Sequence, residues 1–252
     1  MTNFYRTFFY KPLLNGLIIL YQTIAFQDLG IAIIFLTITV RLLLFPLFQK
    51  AAYNQTVLQR IQPHIKKIKE KHKGGSREKE FKEIQELHIE HNLSVFAGLF
   101  NILFLFIQLP ILFALFHIAR NIDSSLGKDL YSFVQFPAQL NNTLLGLINL
   151  QQSSMVLVIL AAILFYIQGK IALPKIENEK NLSRQEQFTQ QIQRQMVFTG
   201  PVMILIFFSI RPVPATVPLY LLVSTVFSLG QQVIVNRQIS YGKLRTLREK
   251  NN

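Results

Sequence analysis

Arg41 is the residue best placed to do something unusual. It stands in Ile38-Thr39-Val40-Arg41-Leu42-Leu43-Leu44, inside an apolar block. A guanidinium stays charged in proteins, and one at the centre of a bilayer-spanning helix costs about 2.5–3.5 kcal/mol on insertion scales. The block contains no acid, and Asp28 lies roughly 20 Å away along a helix. Position alone supports two readings equally. The side chain could snorkel to the nearer, cytoplasmic end, roughly 10 Å off by helical rise, or it could face an internal hydrophilic groove. Polar residues in the apolar blocks favour the groove: Thr37 beside Arg41, then Gln108, Gln168, Gln231 and Gln232. Each is unfavourable in lipid unless it meets water or a partner helix. Taken singly, each is equally well explained as a contact between helices. Together with Arg41 they describe a wet cavity toward the cytoplasmic side.

Other chemistries find little support. None of the apolar blocks holds an Asp or Glu, which argues against a proton-coupled transporter and against a cation channel with an acidic ring. His88 and His91 have i,i+3 spacing with Glu90 between them, but without a third ligand a solvated helix face is the better reading than a metal site. The chain has no cysteine, so disulfides and thiolate metal sites are excluded. Gly-x-Ser-x-Gly, His-Glu-x-x-His and P-loop signatures are missing. These observations predict a protein that is not an enzyme and uses no cofactor or metal. The competing class is a channel or carrier for a small anion, drawn by Arg41. A scaffold for membrane assembly is the third option.

The elements that must position these residues follow from hydropathy and charge. Half of the 252 residues are apolar. They gather into five blocks, each about long enough to cross a hydrocarbon core of roughly 30 Å. The predicted fold is all-α, a polytopic membrane protein with five transmembrane helices over 28–48, 94–119, 153–169, 196–211 and 213–235. Residues 1–27 are predicted to form an external amphipathic helix on the interface, with Leu14, Leu17, Ile18, Tyr21, Ile24 and Ala25 on one face and Asn15 and Gln22 interrupting it. Residues 49–93 read as a cytoplasmic helical hairpin: Val57, Leu58, Ile61, Ile65 and Ile68 form one stripe, Gly74-Gly75 a turn, and Phe81, Ile84, Leu87 and His88 a second stripe. Residues 120–152 read as an external loop, 170–195 as a cytoplasmic loop, and 236–252 as a basic cytoplasmic tail without structure of its own. Of the 26 Lys and Arg residues, ten fall in 49–93, five in 170–195 and five in the tail. Five fall on the other side, leaving Arg41. Basic residues are retained on the cytoplasmic side, so the N-terminus is expected outside and the C-terminus inside. The net charge of +13 is thus largely a topology signal and implies no DNA partner. No cleavable signal peptide is evident in the broken apolar stretch 13–26.

Several stretches resemble the YidC/Oxa1/Alb3 family of membrane protein insertases, in order along nearly the whole chain. Leu29-Gly30-Ile31-Ala32-Ile33-Ile34 through Thr39-Val40-Arg41-Leu42-Leu43-Leu44-Phe45-Pro46-Leu47 is similar to the family's first core helix, with its groove arginine followed by a proline. Ile61-Gln62-Pro63-His64-Ile65-Lys66-Lys67-Ile68 resembles the cytoplasmic hairpin, and Ile107-Gln108-Leu109-Pro110-Ile111-Leu112-Phe113-Ala114-Leu115 the second core helix. Leu145-Gly146-Leu147-Ile148-Asn149-Leu150 resembles the start of the third, and Pro218-Leu219-Tyr220 with Phe227-Ser228-Leu229-Gly230-Gln231-Gln232 the last. The resemblance implies a bacterial plasma membrane protein. It would pass nascent membrane proteins into the bilayer through a hydrophilic groove centred on Arg41. It also implies contacts with membrane lipids and, as candidate partners, the ribosome, the signal recognition particle pathway and the Sec translocon.

Overall fold

The computed structural model describes residues 3–91, 93, 97–121, 124–173 and 184–250. Among them the chain is mostly helical: α1 (Asn3–Tyr5), a π-helical stretch (Arg6–Tyr10), α2 (Lys11–Thr23), α3 (Leu29–Leu43), α4 (Phe45–Lys71), α5 (Arg77–Glu90), α6 (Ala97–Arg120), α7 (Met155–Ala172), α8 (Arg184–Ile210) and α9 (Thr216–Lys250). A 3-10 turn (Ser124–Asp129) and a small antiparallel ribbon of β1 (Thr143–Leu144) and β2 (Ile148–Asn149) lie between α6 and α7. The chain divides into two compact units. One holds Met1–Phe45, Leu105–Gln168 and Phe198–Ser228; the other holds Pro46–Phe104, Gly169–Val197 and Leu229–Asn252.

The core of the first unit is a single apolar cluster. Leu14, Leu17, Ile18 and Tyr21 of α2 are buried in it with Leu29, Ala32, Ile33 and Leu36 of α3, Ala114 and Leu115 of α6, and Leu219 and Tyr220 of α9. Pro12 shapes the approach to α2. It has no N–H to return to the preceding turn, and the Lys11 N–H reaches five residues back to the Arg6 carbonyl, the wide turn that accommodates the ring. Asn15, which interrupts the apolar face in the sequence, is buried and fully used. Its amide donates to the Lys11 and Asp129 carbonyls at 2.8 and 3.2 Å, and its Oδ1 accepts the Tyr131 N–H at 2.7 Å. Arg6 adds an ion pair to Asp129 at 2.5 Å. Burial, and then the Asp129 charge, push the nearby Tyr10 phenol up to about 12.

Asp28 ties α3 to the ribbon. Its Oδ1 caps the helix by accepting the Ile31 N–H at 2.9 Å, which satisfies one of the free donors at a helix start. Its Oδ2 accepts the Leu145 N–H at 2.7 Å. Gly30 is required here, because a Cβ would lie 2.5 Å from the Leu144 side chain and 2.8 Å from its Cα.

In the second unit, Val57, Ile61 and Ile65 of α4 share a cluster with Ile84 and Leu87 of α5. Gly74, at φ +88°, takes the left-handed conformation that the turn between the two helices needs. Across that turn, Glu83 accepts from Lys71 Nζ at 2.9 Å and meets His72 Nε2 at 2.7 Å.

Two of the described helices are long and apolar enough to cross a membrane. They are Met155–Ala172, with mean hydropathy 2.2, and Thr216–Ser240, with mean hydropathy 1.5. The α3–α4 pair is a third if counted as one broken span, and Phe106–Arg120 and Arg194–Ile210 are shorter apolar helices. Two regions differ from what composition predicts. Residues 184–195 begin α8, and residues 236–250 continue α9. Gln, Glu, Lys, Arg and Leu are good helix formers, and a helix already nucleated extends at little further cost.

Two outcomes follow. Gly30→Ala should lower stability by about 1–3 kcal/mol through overpacking against Leu144, read as a drop in unfolding temperature in detergent; an unchanged midpoint would contradict the close approach. The α4–α5 turn should also weaken in acid. The His72 bond, then Lys71, holds the Glu83 carboxyl below its ordinary value of 4.5. That contribution is full above 4.5 and lost as pH falls through the lower folded value. Burial, then His91, holds His88 below its ordinary 6.5, so the fold also loses stability as pH falls below 6.5. Amide exchange in α5, corrected for intrinsic rates, should accelerate relative to α7 between about pH 7 and about pH 4; equal protection would remove this network from the account.

Candidate functional site

Arg41 lies in the last turn of α3, not at mid-helix. The reason is Pro46, whose ring nitrogen cannot donate to the Leu42 carbonyl. The Leu44 N–H turns back to the Leu42 and Val40 carbonyls, and α3 ends at Leu43. The open carbonyl end of a helix carries partial negative charge and favours a cation by about 0.3–1 kcal/mol, more where partly buried. Helix breakage therefore offsets part of the cost of placing a guanidinium among apolar residues.

The side chain is 4% exposed. Its Nε donates to Ser224 Oγ at 3.0 Å, and Nη2 donates to the same hydroxyl. Tyr220, one turn earlier on α9 and also buried, lies beside Ser224 and Gln108 of α6. Gln108 Oε1 is buried and has no hydrogen-bond partner among the described residues. Three helices thus converge on Arg41, Ser224, Tyr220 and Gln108, all within the first unit. Thr37, one turn before Arg41, is buried but returns its hydroxyl to the Ile33 carbonyl at 2.7 Å, so it satisfies itself within α3. Gln168 is half-buried near the end of α7, and no described contact joins it to Arg41.

Gln231 and Gln232 belong to the second unit. There Gln232 Nε2 donates to Thr56 Oγ1 at 3.0 Å and to Asn236 Oδ1 at 3.3 Å. Asn54 Nδ2 and Gln231 Nε2 are buried without a hydrogen-bond partner among the described residues. A cross-helix amide–hydroxyl bond of this kind fixes how two helices pair more specifically than apolar contact alone.

Ser224 and Tyr220 escaped sequence reasoning as partners of Arg41. The available signal was the i,i+4 spacing of Tyr220, Ser224 and Ser228 within an apolar block, which places polar groups on one side of a helix. Asn54 and Thr56 were hidden in a segment that reads as solvated and basic. Among the described residues the Arg41 cluster sets one fixed cation beside the neutral side chains of Ser224, Tyr220 and Gln108, a set able to hold a polar or anionic group.

Fold and site together define a helical membrane protein built around a buried cation. The sequence matches the 60Kd inner membrane protein family over residues 19–243. It is 30% identical over 218 residues to membrane protein insertase YidC 1 of Lactiplantibacillus plantarum, covering 83% of this chain and 62% of that protein. It is 30% identical over 216 residues to membrane protein insertase MisCB of Bacillus subtilis, covering 82% and 71%. With membrane protein insertase YidC of Wolinella succinogenes the figures are 27% over 237 residues, 94% and 38%. The chain therefore belongs to the 60Kd inner membrane protein, or YidC/Oxa1/Alb3, family. It spans 62% and 38% of the length of the first two of these relatives in order of similarity, the proteins of L. plantarum and W. succinogenes.

Ser224→Ala removes the acceptor of two charged hydrogen bonds and should destabilise the protein by about 1.5–3 kcal/mol, measured as a shift in the denaturation midpoint in detergent. A variant as stable as the parent would contradict the Arg41–Ser224 contact.

Proposed function

We propose that this protein is a membrane insertase that passes nascent membrane proteins into the bilayer. The observation that carries the reading is the buried Arg41–Ser224 contact in a chain whose relatives are named membrane protein insertases. In this reading five helices cross the membrane, with the N-terminus outside, the C-terminus in the cytoplasm and residues 1–27 on the outer interface. Arg41, Ser224, Tyr220 and Gln108 line a groove hydrated from the cytoplasm. The buried Gln108 Oε1 supports this: it has no hydrogen-bond partner among the described residues, and water ordinarily satisfies such an oxygen. A client's short polar or acidic outer segment enters the groove, where water and a cation replace bare hydrocarbon. The client's apolar helix moves directly into lipid, driven by hydrophobic burial. No bond is made or broken. Thr37, Gln168, Gln231 and Gln232 act as polar support along the helices. The ribosome, the signal recognition particle pathway and the Sec translocon are the proposed suppliers of clients.

The test is reconstitution in liposomes with a translated single-span client. Arg41→Ala should reduce insertion severalfold. Arg41→Lys should recover part of it, because a lysine restores charge but not the planar fork. Full insertion by Arg41→Ala would overturn the reading, and a loss of small-anion flux with insertion unchanged would assign the protein to channels or carriers.

A further inference from the structure

Two large apolar residues occupy the left-handed region of backbone space, Phe26 and Leu145, each at φ 53°. That region is unfavourable for side chains with a Cβ and is ordinarily filled by Gly or Asn. Burial does not compensate, since Phe26 is 88% exposed and Leu145 65%. The two belong to one local structure. Asp28, two residues after Phe26, accepts the Leu145 N–H at 2.7 Å, and the Leu29 N–H bonds the Asn141 carbonyl at 3.2 Å. Leu147 at the ribbon tip is 84% exposed, and Phe133 is 75% exposed. Phe133 lies two residues before Gln135, whose carbonyl accepts from Gln22 Nε2 at 2.8 Å.

Charge identifies what covers these side chains. Residues 12–27 and 130–169 contain no Asp, Glu, Lys or Arg. A loop standing in water, or docking a charged partner, would present some. The two stretches adjoin the starts of α3 at Leu29 and of α7 at Met155, the heights at which a membrane helix leaves the hydrocarbon.

We infer that Phe26, Phe133, Leu145 and Leu147 form a lipid anchor that enters the boundary between headgroups and acyl chains beside the start of α7. Apolar and aromatic side chains are favoured at that depth. With no charge to match, the anchor engages zwitterionic lipid as readily as anionic lipid. The inference rests on α7 crossing the membrane, which the test checks separately.

The chain has no tryptophan, so an introduced one reports alone. Leu147→Trp, Phe133→Trp and, as reference on the exposed face of α7, Ile163→Trp are reconstituted in phosphatidylcholine liposomes with and without brominated acyl chains. Leu147→Trp and Phe133→Trp should emit to the blue of a free tryptophan analogue in buffer. They should lose most of their fluorescence to brominated lipid and resist aqueous acrylamide. Should Ile163→Trp be quenched by bromine while the other two stay bright and open to acrylamide, the anchor is wrong and the span stands. An unquenched Ile163→Trp removes the span and the anchor together. Shielding of Leu147→Trp found in native membranes but not in pure lipid would overturn the anchor in favour of a protein partner.

Discussion

The polar end of the first unit is arranged around a cation that apolar surroundings oppose. Arg41 is tolerated because three local facts act together. Pro46 ends α3 so that the guanidinium sits at a carbonyl terminus, Ser224 receives two of its N–H groups, and Tyr220 and Gln108 extend the polar surroundings. Each is modest alone, from a few tenths to a few kcal/mol. Together they are of the size of the insertion penalty for a central arginine, about 2.5–3.5 kcal/mol.

The other end of the first unit is built on a different principle. Asn15 and Asp28 are small buried polar groups that each bond a backbone group of their own helix, the Lys11 carbonyl and the Ile31 N–H, and backbone groups of the segment between α6 and α7. Asn15 fixes the start of that connection at Asp129 and Tyr131, and Asp28 fixes the ribbon seated over Gly30. The second unit repeats the theme with amides. Gln232 and Thr56 join α9 to α4, while the arm of α4 and α5 closes through an apolar stripe and the Glu83 contacts.

Much of this was legible in the sequence. The helical class follows from block length and periodicity, the family from motifs in order, and Arg41 from its isolation among Ile and Leu. The stripes of Val57, Ile61 and Ile65 and of Ile84 and Leu87, with Gly74 between them, could be read from spacing alone. The partners could not. Ser224 is 183 residues from Arg41 in sequence, and no periodicity links positions on different helices. Asn15 looked like a flaw in an amphipathic face because its partners, Asp129 and Tyr131, lie in a segment without a repeating pattern. Helix in 236–250 was hidden for the opposite reason: a basic composition resembles a solvated tail, yet its residues favour helix once α9 is under way.

The central claim is that water from the cytoplasm reaches the polar cluster at Arg41. The cysteine-free sequence allows this to be measured with Gln108→Cys, which leaves Arg41 and Ser224 in place. A membrane-impermeant maleimide should label that cysteine in inside-out vesicles and leave it unlabelled in right-side-out cells. Labelling from the outer face alone, or none from either face while the denatured protein reacts fully, would contradict the account.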